Sequence, residues 1–427
     1  METSRLEVSA DLKRLHDRYL AQPLVQAPPS PSCEVCVIVP VRNEAENLES
    51  TLTALANQID LEGQPLNLNR YEIVLLANNC SDDSAAIARS FARTHRIALH
   101  VVERTLPPQY AYIGRVRQLL MDEAYRRLML LGGGQRIIAS TDGDSQVAPT
   151  WIAATLHEIS CGADAVGGRI ITDRAGRNTL DPYARACHLR EVGYRYLVAE
   201  LETYLDPDPF DVWPRHYQHY GASLAVTAQM YQQAGGMQPV RTPEDEAFYR
   251  ALVRVSARFR HSMRVQVATS ARTTGRTDIG LANQLHQWAT MGRQKQSFMV
   301  ESAAEVKTRF RVRHRLRELW WRILGGYQPT LKDIAPIANV LGISTTWLRH
   351  ELSQLHSFGL LWEQVEQRQQ EEGIWCQRWQ REKIEEAIAH LRSYLDSLRQ
   401  QQKCLQDQIQ QSYQEYKSRN SSLVSMG

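Results

Sequence analysis

Long hydrophobic runs are missing from this 427-residue chain. No apolar stretch approaches the length of a membrane span, so the chain is expected to be soluble, or at most peripheral to a membrane. Cysteine is scarce, with seven residues scattered along the sequence. None falls in a zinc-binding spacing. Cys33-x-x-Cys36 runs straight into Val37-Ile38-Val39, so the pair reads as buried strand thiols and not as a redox or metal motif. An odd cysteine count without a recognisable signal peptide points to a reducing cytoplasm. An excess of either charge is lacking too: 50 basic and 47 acidic residues leave a net +3, so any basic feature must be local. No repeat of about 20–50 residues is present, which excludes a solenoid or propeller.

What is present is enough apolar residue, 43%, to bury a large core in two or three domains. Residues 1–32 read as an arm: a short helix over "ADLKRLHDRYL", then a linker broken by Pro23, Pro28, Pro29 and Pro31. From residue 33 strands and helices alternate. "CEVCVIVP", "YEIVLLANN", "IALHVVE" and "RIIASTDGD" read as strands, with helical spacing between them. The apolar runs are continuous, which predicts an α/β fold with a mostly parallel, Rossmann-like sheet covered by helices on both faces. Such sheets bind ligands beyond the carboxyl ends of their strands. The polar clusters "PVRNE", "NNCSDD" and "TDGDS" fall there. Residues 33–300 form this unit, and 301–427 read as almost entirely helical.

The strand ending in "TDGDS" places Asp142 and Asp144 around a glycine. Mg²⁺ and Mn²⁺ prefer oxygen ligands and are often held by one or two carboxylates while substrate phosphates fill other positions. A solvated Asp-Gly turn is the plainer alternative. The order "VIVPVRNEAENL", "NNCSDDS", "TDGDS", "GASLAVTAQMYQQAGG", "PEDEAF" resembles the family 2 glycosyltransferases of GT-A fold over residues 33–300. The resemblance implies inverting transfer of a sugar from a nucleotide-diphosphate sugar to an acceptor hydroxyl. It implies that Asp142 and Asp144 hold Mn²⁺ or Mg²⁺ on the donor diphosphate.

Residue by residue, the resemblance points to Pro40, Arg42 and Glu44 at the nucleobase and ribose, and to Arg117 at the phosphates. Asn78 stands where the family usually has a base-contacting aspartate. Because an amide donates as well as accepts, this departure leaves the base open. Arg272 and Arg276 in "TSARTTGR" match a segment closing over the diphosphate, a role suited to guanidinium groups. In "TPEDEAFYRAL" the resemblance makes Asp245 the catalytic base, with Glu244 beside it toward the acceptor; three acids complementing a helix N-terminus is the alternative. Trp288 in "QLHQW" either stacks on an acceptor sugar or packs in the core. His216 and His219 in "WPRHYQHY" read as loop packing or an aromatic wall.

In the C-terminal region, Ile384, Ile388, Leu391, Leu395, Leu398, Gln402, Leu405 and Ile409 alternate steps of four and three. This is a coiled-coil seam over about 380–416. It pairs two subunits into a homodimer or folds against an earlier helix such as 347–369. In 307–323, Val312, Leu316, Leu319, Trp320 and Ile323 share a face amid arginines. That face packs on the catalytic domain or meets an anionic membrane on its cytoplasmic side. "IAPIANVLGISTTWLRHEL" has helix-turn-helix spacing, but two short helices joined at Gly342 explain it without nucleic acid. Two other functions compete: a non-catalytic scaffold working through the coiled coil, and a sugar nucleotidyltransferase. The second would need a glycine-rich, lysine-bearing loop where "PVRNEAENL" stands.

Overall fold

The computed structural model of the chain describes residues 23–270 and 280–424, without the side chains of 174, 175, 405 and 409–424. The helix expected before Pro23 lies outside these residues, as do Arg272 and Arg276. The first half runs β1 (Val35–Val41), α1 (Leu48–Ala56), β2 (Tyr71–Asn78), α2 (Ser84–Thr94), β3 (Leu99–Arg104), α3 (Ile113–Met129), β4 (Ile137–Ser140), β5 (Ser145–Val147) and α4 (Trp151–Ser160). Every residue of β1 and β2 is buried, as strands covered on both faces require. Val35, Val37, Val39 and Val41 of β1 pack on α1, α2 and α4 through Leu52, Phe91 and Trp151. Cys36 and Ile38 point the other way, toward Leu120 and Met121 of α3. The buried thiols expected of Cys33 and Cys36 are found there.

The chain continues through β6 (Ala165–Thr172), α5 (Arg174–Asn178), α6 (Pro182–Leu205), β7 (Leu224–Thr227), α7 (Ala228–Gln233), α8 (Glu244–Arg254), β8 (Phe259–Thr269) and α9 (Leu281–Arg293). The eight strands form one sheet in the order β3-β2-β1-β4-β7-β6-β8-β5. β1 lies parallel to β2 and β4, β2 to β3, and β6 to β8. β7 runs antiparallel to β4 and β6, and β5 antiparallel to β8. This is the mostly parallel, helix-covered α/β architecture expected, and it brings the carboxyl ends of β1, β2 and β4 side by side.

The C-terminal region is helical: β9 (Met299–Val300), α10 (Ala303–Leu324), α11 (Leu331–Leu341), α12 (Thr345–Ser353), α13 (Phe358–Glu372), α14 (Ile374–Arg378), β10 (Glu382–Lys383) and α15 (Ile384–Val424). Gly342, with φ +70°, ends α11 in the left-handed conformation and turns the chain into α12. Two expectations are corrected here. The apolar face of α10 is not offered to a membrane: Val312, Leu316, Leu319 and Trp320 are buried against α11, α12 and α13. Nor is the start of the heptad seam left for a second subunit. Ile384, Leu391 and Leu395 are fully buried against Tyr194 and Leu201 of α6 and Phe310 of α10. Burial of that size stabilises by about 1.5–3 kcal/mol per side chain, so this face is already used within the chain. The covering helix is α6 and not 347–369. Among the described residues no helix is long and apolar enough to cross a membrane.

Candidate functional site

Three loops converge at the carboxyl ends of β1, β2 and β4. The loop after β1 is fixed to the loop after β2: Ser81 N–H donates to Asn43 Oδ1 at 2.7 Å, Glu44 N–H to Ser84 Oγ at 2.8 Å, and Ala45 N–H to Asp82 at 3.0 Å. Pro40 and Glu44 are buried there, and Arg42 is exposed with its guanidinium on the Ala111 carbonyl at 3.3 Å. Asn78 ends β2, and its side-chain oxygen is buried with no hydrogen-bond partner among the described residues. Across β1, the buried Thr141 hydroxyl at the end of β4 is in the same state. Buried polar atoms are rarely left unpaired, and these two lie at the ends of β2 and β4, on either side of β1.

Asp142, Gly143 and Asp144 follow β4. Gly143 lets the turn press closely on the first loop. A Cβ there would lie 3.1 Å from Val41, 3.3 Å from the Pro40 carbonyl and 3.4 Å from the Glu44 side chain. Thr51 of α1 donates its hydroxyl to the Gly143 carbonyl at 3.1 Å. Both carboxylates stay partly open, with Asp142 one-third exposed.

The three acids opening α8 take three different partners. Glu244 is buried and pairs with Arg117 at 3.1 Å. Burial pushes its carboxyl above the ordinary range, and the Arg117 charge offsets part of that push. Asp245 is half-buried; one oxygen accepts the Gly221 N–H at 3.0 Å and the other the Glu246 N–H at 2.9 Å. Glu246 bonds to His219 at 2.7 Å, which together with Arg250 lowers its pKa to about 2. The 100° step between neighbouring helical residues separates the three. His219 stacks on Tyr249, ring centroids 3.8 Å apart, so it is tied to α8 at two points.

Arg117 was expected at the donor phosphates. It lies instead inside the protein, 3% exposed, with its N–H groups on Glu244, Ser140, the Gly221 carbonyl and Asp142. Trp288 is equally buried, packed with Leu180, Cys187, Leu285 and Phe298, so it presents no face to a sugar. Glu244 faces Arg117. His216 is a core residue: its Nε2–H is shared between the Gly167 and Ser262 carbonyls, both at 3.1 Å, and Nδ1 accepts from Gln218 N–H at 2.9 Å. Sequence reasoning missed Ser140, Thr141 and Gly221. The stretch "GASLAVT" contained the signal for Gly221, because a glycine entering a buried strand marks a close approach of other groups.

Residues 36–212 match the family model described as Glycosyl transferase family 2. A segment of 137 residues, 32% of this chain, is 28% identical to "Glycosyltransferase AglE" of Haloferax volcanii and spans 39% of that protein's length. Among solved structures, a mannosyltransferase of Pyrobaculum calidifontis in complex with GDP-Man and Mn²⁺ is similar at 17% identity and a TM-score of 0.40, over 82% of this chain and 81% of that one. S. aureus TarS 1-349 in complex with UDP-GlcNAc is similar at 13% identity and a TM-score of 0.42, over 80% and 92%.

Proposed function

We propose that the chain, whose residues 36–212 match the model of glycosyl transferase family 2, transfers a hexosyl group from a nucleotide-diphosphate sugar to an acceptor hydroxyl, with inversion and with Mn²⁺ or Mg²⁺. The observation that carries the reading is the convergence of Asp142 and Asp144 on one side of the Arg117 cluster with Asp245 on the other. Among the described residues no three His, Cys, Asp or Glu side chains form a metal cage. A hard divalent ion bound to a diphosphate needs none, because phosphates complete its shell; Asp142 and Asp144 supply the one or two carboxylates that suffice. When bound, the ion would stabilise charge on the leaving diphosphate.

The loop of Pro40, Arg42 and Glu44 and the unpaired Asn78 oxygen would hold the nucleoside, and Arg272 and Arg276 would cover the diphosphate. Asp245 would accept the acceptor's proton from the far side. An amide at Asn78 can both donate to and accept from a base edge, so it does not single out one base. None of the seven cysteines is paired, in keeping with a cytoplasmic setting.

A panel of nucleotide-sugars tested by thermal shift with Mn²⁺ checks the proposal. Ligand at about 100 times its Kd stabilises the native state by about 2.7 kcal/mol. One donor should raise the melting temperature with Mn²⁺ and lose that effect in chelator. Retained anomeric configuration in the product would refute inversion.

A further inference from the structure

The two sides of the site meet on one guanidinium group. Arg117 Nε donates to Glu244 at 3.1 Å. One terminal nitrogen donates to Ser140 Oγ at 2.5 Å and to the Gly221 carbonyl at 3.0 Å, and the other to Asp142 at 2.9 Å. Ser140 Oγ–H itself donates to the same Gly221 carbonyl at 2.7 Å. Gly221 N–H then holds Asp245 at 3.0 Å. Three hydrogen bonds thus connect Asp142 to Asp245 through Arg117, 3% exposed, and the buried Gly221.

We infer that Arg117 is a positioning residue that orients Asp142 for the divalent ion and, through Gly221, fixes Asp245 relative to it. The inference rests on the reading of Asp142 as a metal ligand. Phosphate binding is a poor alternative, since four protein hydrogen bonds already engage a group with five N–H donors and the side chain is 3% exposed. The task also requires arginine: a lysine ammonium is a point charge on a flexible stem and cannot span four acceptors arranged around a plane. Gly221 is the second requirement. A Cβ there would lie 2.4 Å from Arg117 Cζ, so the glycine is what lets the guanidinium reach the carbonyl.

That geometry gives a test that changes no charge. Mn²⁺ binding is measured by electron paramagnetic resonance, with UDP and with GDP added separately, beside the melting temperature of each variant. Gly221→Ala displaces Arg117 from the Asp245 side yet touches no metal carboxylate. It should weaken Mn²⁺ binding about as much as Arg117→Lys, in the 10–100-fold range found when groups that orient metal ligands are removed. Ser140→Ala removes the hydroxyl that accepts from Arg117 and donates to the Gly221 carbonyl, and should weaken it about fivefold. If Arg117→Lys fails to fold, the Gly221 and Ser140 variants carry the test. Folded variants with wild-type Mn²⁺ affinity would overturn the inference. Wild-type protein that binds no Mn²⁺ with either nucleotide would instead overturn the metal reading beneath it.

Discussion

The sheet and the joint between α6 and α10 are sealed in different ways. On both faces of the sheet the contacts are mostly apolar, from Val37 and Trp151 on one side to Ile38 and Phe248 on the other, with a buried ion pair between Arg127 of α3 and Glu72 of β2. Where α10 crosses the end of α6, charge is added to the apolar contact of Phe310 and Leu201. Arg313 binds both Glu202 and Asp206, and Arg317 binds Asp206 again. Arg215 carries the cluster on to Asp211 at 3.1 Å, and Asp211 to His261 at 2.7 Å. Apolar contact is non-directional and tolerates exchange of shape for shape. Buried charge does not: each ion must keep its partner. The lesson is that the sheet fixes where the site lies, while the charged joint fixes how the helical region sits against it.

The sharpest contrast should come from the site itself. Asp245→Asn is expected to bind donor normally and to lose about 10²–10⁴-fold in turnover, the usual contribution of a positioned base. Steady-state kinetics with equilibrium donor binding checks this. Near-normal turnover would move the base elsewhere.

At the charged joint, Arg313→Ala should cost about 3 kcal/mol, because it removes one charged partner from both Glu202 and the buried Asp206, which keep Arg215 and Arg317 respectively. Arg89→Ala, which breaks an exposed pair with Glu103, should cost about 1 kcal/mol or less. Equal losses in denaturant titration would erase the distinction.

Acid should reach the joint in a defined order. Burial lowers the His261 pKa to about 4, against Asp211, which pulls it up; burial also holds His216 well below its ordinary value. Both imidazoles are therefore neutral in the fold but protonate in the unfolded chain near pH 6.5, where ordinary histidine titrates. Their stabilisation is complete above that pH and is lost as pH falls toward 4. Glu202 follows: burial raises its pKa, but Arg215 and Arg313 outweigh that and bring it to about 2, so its share is lost below about pH 4.5. The melting temperature should decline from pH 6.5 downward, and His261→Gln should flatten the upper part of that decline. The smallest effect is expected at Trp321, 62% exposed, where substitution by Ala should shift stability by about 0.5 kcal/mol or less.

The same contrast explains what could be read before folding. A parallel strand ends at one edge of its sheet, so "PVRNE", "NNCSDD" and "TDGDS" could be placed together from local pattern alone. Arg117 could not. Its partners Glu244 and Gly221 lie more than a hundred residues downstream, and nothing in "IGRVR" distinguishes an inward guanidinium from one reaching for phosphate. The face of α10 and the seam of α15 were legible as apolar, but periodicity does not name what covers a face. The cover is α11 to α13 in one case and α6 in the other. Trp288 shows the same limit, since an aromatic side chain suits a core as well as a sugar.

The claim that two carboxylates after β4 hold the donor through a divalent ion is tested most directly by calorimetric titration of the donor nucleotide-sugar into wild-type protein and Asp144→Ala, each with Mn²⁺ and with chelator. The account predicts binding to the wild type only with Mn²⁺. It predicts none to the variant, whose melting temperature should stay unchanged because Asp144 is partly exposed. Equal binding in chelator, or undiminished binding to a folded Asp144→Ala, would contradict it.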